Sequence, residues 1–245
     1  MLFSAGWTWA RDLTDQLDND WITGQVIQNQ FDRRSEWGNN SFTPTHRFYA
    51  DAIYALPVGR NQRYLSQMSA VAEAVLGGWR LSGVATLQTG QWFTPSFSGF
   101  DPSNTNSLGG RPDVVSGVSL YPANQNINNW FNVAAFAIPG CPASNPVCSN
   151  PANIGRFGNA GNDIIATPPM KNLDLAVMKE FHLSEQKFFR FQATFSDALN
   201  HPNFGYPGGN ISSPATAPVI TSTLGNYLTG SSTARIINFA LRFQF

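Results

Sequence analysis

Residues that could do chemistry are few in this chain, and they are widely spaced. The three histidines, His46, His182 and His201, lie far apart, and we expect interfacial or loop histidines rather than one site. No Ser-His-Asp order, glycine-rich phosphate loop or close carboxylate pair rises above chance. The sequence therefore predicts a protein that is not an enzyme and that binds no cofactor.

Three aspartates, Asp101, Asp113 and Asp163, offer the oxygen ligands that Ca²⁺ prefers. Their spacing matches no calcium-binding loop, so we expect solvated loop acids and no metal site. Two cysteines, Cys141 and Cys148, bracket six residues. From the residues alone they form a disulfide, remain two free thiols, or supply half of a metal site.

The composition favours alternating strands joined by polar loops. Only 12% of the residues are charged, against roughly 25% in a typical soluble domain, whereas 13% are aromatic. The mean hydropathy is only −0.20, and no run of about 18 apolar residues predicts a transmembrane helix. Basic and acidic residues number 15 each, so the charge predicts no nucleic-acid partner.

The last segment has the clearest period. From Arg235 to the final Phe245, apolar side chains alternate with polar or small ones, which indicates a strand with two different faces. About ten residues of this pattern is the length of a tilted strand that crosses a bilayer. Taken alone, the pattern fits an edge strand of a soluble sandwich equally well.

The same alternation recurs along the chain and predicts about six strands. They cover approximately residues 2–10, 46–56, 79–89, 171–181, 187–199 and 232–245, and residues 61–76 have the spacing of a short amphipathic helix. If the last strand ends at the periplasm, the links 182–186 and 57–78 are periplasmic, whereas 11–45, 90–170 and 200–230 are extracellular. Short periplasmic turns and long outer loops are typical of outer-membrane barrels, and a sandwich has no reason to sort its loops in this way.

The predicted faces carry charge where a barrel tolerates it. Arg47, Arg80, Arg190 and Arg242 fall on the polar face and are lumen-facing candidates. On the apolar face the charged candidates are Lys179 and Asp197, both near strand ends, where the cost of a charge is smallest. We expect aromatic girdles from Trp7, Trp9, Trp79, Phe181 and the terminal phenylalanines.

Six strands cannot stand alone in lipid, because an open sheet leaves unpaired backbone groups at two edges. The first ten residues alternate like a strand and do not resemble a signal peptide. We therefore expect further strands to precede Met1.

Several stretches resemble the C-terminal barrel of Oar-like TonB-dependent receptors. These stretches are Phe189-Arg190-Phe191-Gln192-Ala193 with Asn200-His201-Pro202-Asn203-Phe204-Gly205, His46-Arg47-Phe48 with Leu56-Pro57-Val58-Gly59-Arg60, Gly77-Gly78-Trp79-Arg80-Leu81-Ser82-Gly83, Thr89-Gly90-Gln91, Gly155-Arg156-Phe157-Gly158-Asn159-Ala160-Gly161-Asn162 and Lys171-Asn172-Leu173-Asp174. They span most of residues 46–245, and their order and spacing are more specific than any one of them.

The resemblance implies a large outer-membrane transporter that takes up a bulky ligand with energy passed by TonB through an N-terminal plug. This chain shows no plug, no TonB-contacting segment and no signal sequence, so we expect it to be inactive alone. Its expected partners are outer-membrane lipid, the missing strands and plug, and the outer-membrane assembly machinery. The resemblance further implies that the machinery recognises the terminal aromatic residue, Phe245.

The sequence therefore predicts an all-β chain. Residues 1–245 form an antiparallel transmembrane β-barrel segment, a partial barrel of about six strands with long extracellular loops, in the bacterial outer membrane. The exported location favours a disulfide between Cys141 and Cys148. The alternative function is a secreted, soluble β-sandwich that binds carbohydrate through its loop tryptophans.

Overall fold

Six long strands form one antiparallel sheet in the computed structural model, which describes residues 1–15, 27–140, 148–150, 155–183, 187–224 and 234–245. Each strand pairs with the next one along the chain, so the sheet is a simple meander. The strands are β1 (Leu2–Trp9), β2 (His46–Ala55), β3 (Trp79–Gln88), β4 (Met170–His182), β5 (Phe188–Ser196) and β6 (Ile236–Gln244). All six predicted strands are confirmed to within a few residues; residues 232 and 233, which begin the predicted last strand, lie outside the described ranges.

The cross-strand register keeps each face of the sheet continuous. Directly opposite residues in an antiparallel pair lie on the same face. Ala193 lies opposite Val177 on one side and Phe239 on the other, whereas Arg190 lies opposite Glu180 and Arg242. The apolar and polar faces predicted from the alternation therefore run unbroken across all six strands.

The apolar face of the sheet is not covered by the described part of the chain. Trp7 is 65% exposed, and Phe239 and Leu241 are each 71% exposed. A β-sandwich buries this face under a second sheet. The exposed face therefore contradicts the alternative of a soluble sandwich.

The long connections fold together at one end of the sheet. We call residues 11–15, 27–45, 90–140, 148–150, 155–168 and 200–224 the cap. The sheet end where β1 meets β2 at His46 is the cap end, and the opposite end is the turn end. Short strands pair here as Leu13–Thr14 with Gly38–Asn39, Trp92–Phe93 with Ile165–Ala166, Phe97–Ser98 with Gly109–Gly110, and Phe136–Pro139 with both Asp113–Val114 and Cys148–Asn150. Two 3-10 turns, Arg33–Glu36 and Val133–Ala135, complete it.

The cap contains a tightly buried hydrophobic core. Its aromatic rings meet edge to face, with the Phe131 centroid 5.8 Å from both Phe93 and Phe136. The buried members of the core are Phe93, Phe97, Phe131, Ala135, Phe136, Ile138, Ile165, Ile211 and Ala217. The sequence predicted only a long extracellular link over 90–170, whereas Phe131 and Phe136 of this segment are the centre of a packed core.

A buried ion pair joins two of these connections. Arg111 and Glu36 are 6% and 0% exposed, and the Arg111 Nη1 atom lies 2.6 Å from Glu36 Oε2. A second guanidinium nitrogen, Nη2, donates to Glu36 Oε1 at 3.1 Å and to the carbonyl of Ser35 at 2.9 Å. Asn162 donates to the Glu36 carbonyl at 2.6 Å and accepts from Arg111. The segment before β2 is thus fastened to the segment between β3 and β4.

Close backbone approach requires glycine at one point of the cap. A side chain at Gly158 would overlap the carbonyl oxygens of Arg111 and Pro112. The carbonyl oxygen of Gly158 itself accepts a hydrogen bond from the Gln28 side chain at 3.0 Å. The stretch Gly155 to Asn162, which carries part of the resemblance, therefore serves to hold the cap together.

The turn end of the sheet carries one short helix, α1 (Ala70–Leu76). The hydroxyl of Ser69 accepts from the Ala72 N–H at 3.3 Å and caps its first turn. The predicted helix over 61–76 is too long, because Leu65 has a positive φ of 58° that a right-handed helix does not accommodate. Within the described ranges, no helix combines the length and the apolar character that crossing a membrane requires.

The ion pair in the cap makes a stability prediction. Removing one partner of a buried pair costs about 3–5 kcal/mol, because the other charge stays buried without compensation. We expect Glu36→Ala to lower the free energy of local unfolding of the cap by that amount. An added protease should then cleave cap segments of the natively folded protein faster.

The matched control is Asp15→Ala, which removes the exposed pair with Arg33, whose partners are 38% and 48% exposed. Exposed pairs contribute only about 0–1 kcal/mol, so cleavage should barely change. Replacing both buried partners, as Glu36→Leu with Arg111→Met, should recover most of the loss. Equal cleavage of the Glu36→Ala variant and the unmodified protein would show that the pair does not hold the cap closed.

Candidate functional site

The polar face of the sheet carries all four predicted lumen arginines, but it does not bring them together. Arg47 lies at the cap end, opposite Gln88. Arg80 lies opposite Met178, nearer the turn end. Arg190 and Arg242 are cross-strand partners close to the turn end itself. The alternation predicted the face of each arginine, whereas only the register shows that three of them share one end.

One arginine of this group is paired and held rigidly. Arg190 donates to Glu180 Oε1 from Nε at 2.8 Å and from Nη2 at 2.6 Å. Its guanidinium carbon also lies over the Phe188 ring, 5.4 Å from the ring centre. Two like charges directly opposite each other repel, so the carboxylate of Glu180 offsets the repulsion between Arg190 and Arg242.

Acidic side chains occupy the middle of the same face. Asp51 and Asp174 lie opposite Val84 from its two sides, so the three share one row of the sheet. Asp174 accepts the N–H of Asp197 at 2.9 Å and a side-chain N–H of Asn172 at 2.9 Å. Charged groups of both signs on one face suit a surface that meets water and polar solutes rather than lipid.

Aromatic side chains collect at both ends of the apolar face. At the cap end the rings of Trp7 and His46 stack at 5.8 Å, with Trp9 opposite His46. At the turn end the face carries Trp79, Phe181, Phe189, Phe191, Phe243 and Phe245. There the Phe189 and Phe243 rings lie 4.6 Å apart, and Phe243 stacks on Phe245 at 5.7 Å. The face is thus bordered by two bands of aromatic rings, as the sequence predicted.

The acids of the cap are structural rather than solvated, which corrects two expectations. Asp113 is buried and binds Arg156 at 2.6 Å, and this hydrogen bond raises the pKa of the Arg156 guanidinium. Asp163 is also buried, and it accepts from the Thr94 hydroxyl at 3.3 Å. No group of three His, Cys, Asp or Glu residues close enough to hold a metal occurs in the described ranges.

The third loop acid, Asp101, is half-buried and closes its own loop. Its carboxylate accepts from the Ser103 hydroxyl at 2.8 Å and from the Asn106 N–H at 2.7 Å. The Ser103 bond, with the backbone donors, lowers the pKa of this carboxyl. Burial in the cap acts oppositely on the Tyr121 phenol, whose pKa is raised while its oxygen accepts from the Ala166 N–H.

The remaining predicted residues, His182, the cysteine pair and Phe245, lie in different parts of the chain. His182 lies at the turn end, away from His46 and His201, as expected, and its Nε2 atom is 3.9 Å from Glu180 Oε2. The predicted disulfide involves Cys141, which lies outside the described residues, so the pairing stays a prediction. Phe245 is 88% exposed beyond the end of β6.

The charged residues that were predicted on the apolar face, or that lie there, each have a different environment. Lys179 is 2% exposed, and its ammonium is covered by carbonyl groups of α1. Asp197, which we had placed on this face, instead leaves the strand with a φ of 46° and accepts the N–H of His201 at 3.2 Å. Lys171, opposite Leu87 on this face, was missed because the predicted strand began there.

Sequence reasoning also missed the cluster of Glu36, Arg111 and Asn162. Glu36 and Arg111 are 75 residues apart in the chain, and no period or motif links them.

The comparisons with known proteins agree with this geometry. A family model described as an outer membrane beta barrel domain matches residues 1–237. Neither the curated proteins nor the solved structures include a match to the chain. The two-faced meander, its aromatic borders and its exposed apolar face are the features of such a barrel. The chain therefore belongs to the outer membrane beta barrel domain family, and its sheet is a transmembrane section of a barrel in the bacterial outer membrane.

Proposed function

We propose that the chain is the C-terminal part of the barrel of an Oar-like TonB-dependent receptor, which takes up a bulky ligand. The observation that carries this proposal is the cap, because three long connections combine into one folded body on the extracellular side of the sheet. On this proposal the chain transports nothing alone and acts with further strands and a plug.

The two edges of the sheet support the need for further strands. β1 and β6 each pair on one side only among the described strands, and every residue of β6 is exposed. Unpaired backbone groups are not tolerated against lipid, and bacterial barrels start at about 8 strands. Strands added at these edges would close a wider barrel, whose lumen Arg47, Arg80, Arg190 and Arg242 would help to line.

The cap suits recognition of a ligand larger than a simple solute. Its core is as dry as that of a small soluble domain, with Phe131, Ile138 and Ile211 all at 0% exposure. A buried core and a buried ion pair keep an extracellular surface in one shape, and a fixed shape lowers the entropy lost on binding. A channel that only sieves small solutes has no need of this rigidity.

The residues that carry the resemblance support the proposal from another direction, since they join the cap to the sheet. Asn203 accepts the Lys171 N–H at 2.8 Å, at the start of β4. A side chain on Gly90, just beyond β3, would overlap the carbonyl oxygen of Thr167. A movement of the cap would therefore be passed directly to the strands β3 and β4.

Energised uptake is the direct test of this proposal. We expect cells that lack the protein to leave in their medium a solute that the parent strain removes, measured by comparing the two spent media by mass spectrometry. Removing TonB, or collapsing the proton gradient of the inner membrane, should leave the same solute behind.

The matched control is the strain that lacks the protein, with TonB intact and the gene restored on a plasmid, which should consume the solute again. Consumption that depends on this protein but continues without TonB would identify a passive channel. In that case the receptor proposal is wrong, although the membership of the barrel family stands.

The facing of the sheet predicts the effect of a single added charge. Ala193 lies mid-strand on the lipid face, and its neighbour Gln192 lies on the lumen face opposite Met178 and Ala240. An arginine at mid-bilayer on the lipid face costs roughly 2–4 kcal/mol. We expect Ala193→Arg to reduce the amount of folded protein in isolated outer membranes, and Gln192→Arg to leave it close to normal. Equal amounts of the two variants would mean that the assigned faces are wrong.

A further inference from the structure

The helix α1 at the turn end presents an apolar face that no described residue covers. Val71, Val75 and Leu76 are 77%, 61% and 49% exposed. Within the helix the half-buried residues are Ala72 and Glu73, and Ala70 and Ala74 border a cleft beside the end of β4. The larger apolar side chains of the helix therefore point outward.

The contacts of α1 show on which side of the sheet it is held. The indole nitrogen of Trp79 donates to the Val75 carbonyl at 2.9 Å. The ammonium of Lys179 donates to the carbonyl oxygens of Glu73, at 3.4 Å, and Gly77. Trp79 and Lys179 are cross-strand partners on the apolar face of the sheet. The last turn of α1 is therefore fastened from the lipid side of the barrel wall.

The charges of this region are arranged so that they do not interrupt the apolar surface. Glu73 is the one acidic residue of α1, and its carboxylate accepts the Arg60 N–H at 2.7 Å instead of facing outward. The Lys179 ammonium lies between aromatic rings, 5.2 Å from the centre of Trp79 and 5.1 Å from that of Phe181. What α1 offers to its surroundings is therefore hydrocarbon.

We propose that α1 is an interfacial anchor whose exposed face lies among the lipids of the periplasmic leaflet. The surface of Val71, Val75 and Leu76 continues the lipid-facing surface of the sheet through Trp79 and Phe181, at the level of the aromatic border. A helix with one apolar face that lies at such a border is stable where headgroups meet acyl chains. The anchor sets the depth of β3 and β4 in the bilayer, and it does not depend on which ligand the receptor takes up.

The test is a measurement of depth by spin labels in the complete protein, in its native outer membrane. Cys141 and Cys148 are first replaced by serine, and single labels are then attached through Val71→Cys and Val75→Cys. Collision with oxygen, which concentrates in lipid, is compared with collision with a water-soluble nickel chelate. Two control labels of equal starting exposure frame the result: Leu241→Cys on the lipid face and Leu108→Cys on the cap, each 71% exposed in the native residue.

We expect both α1 labels to collide preferentially with oxygen, as the Leu241→Cys label does, and the Leu108→Cys label to prefer the nickel chelate. A preference for nickel at both α1 positions would place the helix in the periplasm and overturn the proposal. Protection from both reagents would also overturn it, because the face would then be covered by a protein partner or a second copy rather than by lipid.

Discussion

A sheet that is apolar on one face is stable only where something other than water covers that face. In this chain the cover does not come from the described polypeptide, because the large side chains of the apolar face remain exposed from Trp7 at one end of the sheet to Leu241 at the other. The bilayer is therefore the missing half of the hydrophobic core. The strand length, the single-sheet meander and the aromatic borders all follow from a solvent that is apolar in the middle and wet at both sides.

The cap obeys the opposite rule and shows why the chain needs two kinds of core. Outside the bilayer nothing else can bury apolar surface, so the cap buries its own, around Phe131 and Phe136. The strands beneath contribute little to that core, since their inward face is polar. The ion pair of Arg111 with Glu36 then joins the segment before β2 to the segment between β3 and β4, alongside the isolated β-bridge between Gly38 and Asn162. Where β3 and β4 leave the membrane, apolar side chains are thus buried by the polypeptide itself instead of by lipid.

The sequence predicted those parts of the fold that have a period, and it failed where no period exists. Alternation was sufficient for the six strands, their order and the face of each arginine, because a strand in lipid leaves each side chain only one acceptable side. Alternation could not predict the cap, because its core residues, such as Phe93 and Ile211, come from segments with no regular repeat. The buried partners Glu36 and Arg111 meet only through the tertiary fold. The short helix was placed correctly but made too long, since Leu65 has the spacing of a helix without its backbone.

The two lysines on the apolar face of β4 mark the limits of the hydrocarbon layer. Lys171 and Lys179 are eight residues apart, which is about 26 Å along a strand; a tilt of about 40° reduces this to roughly 20 Å across the membrane. Between them the face carries only Leu173, Leu175 and Val177. The apolar band of such barrels is about 25 Å tall, and a lysine stem can carry its ammonium several ångströms toward the headgroups. Each lysine ammonium therefore lies at a border of the apolar band, and that of Lys179 is further shielded by the carbonyl groups of α1. The apparent violations of the pattern are thus the residues that fix how deep the sheet lies.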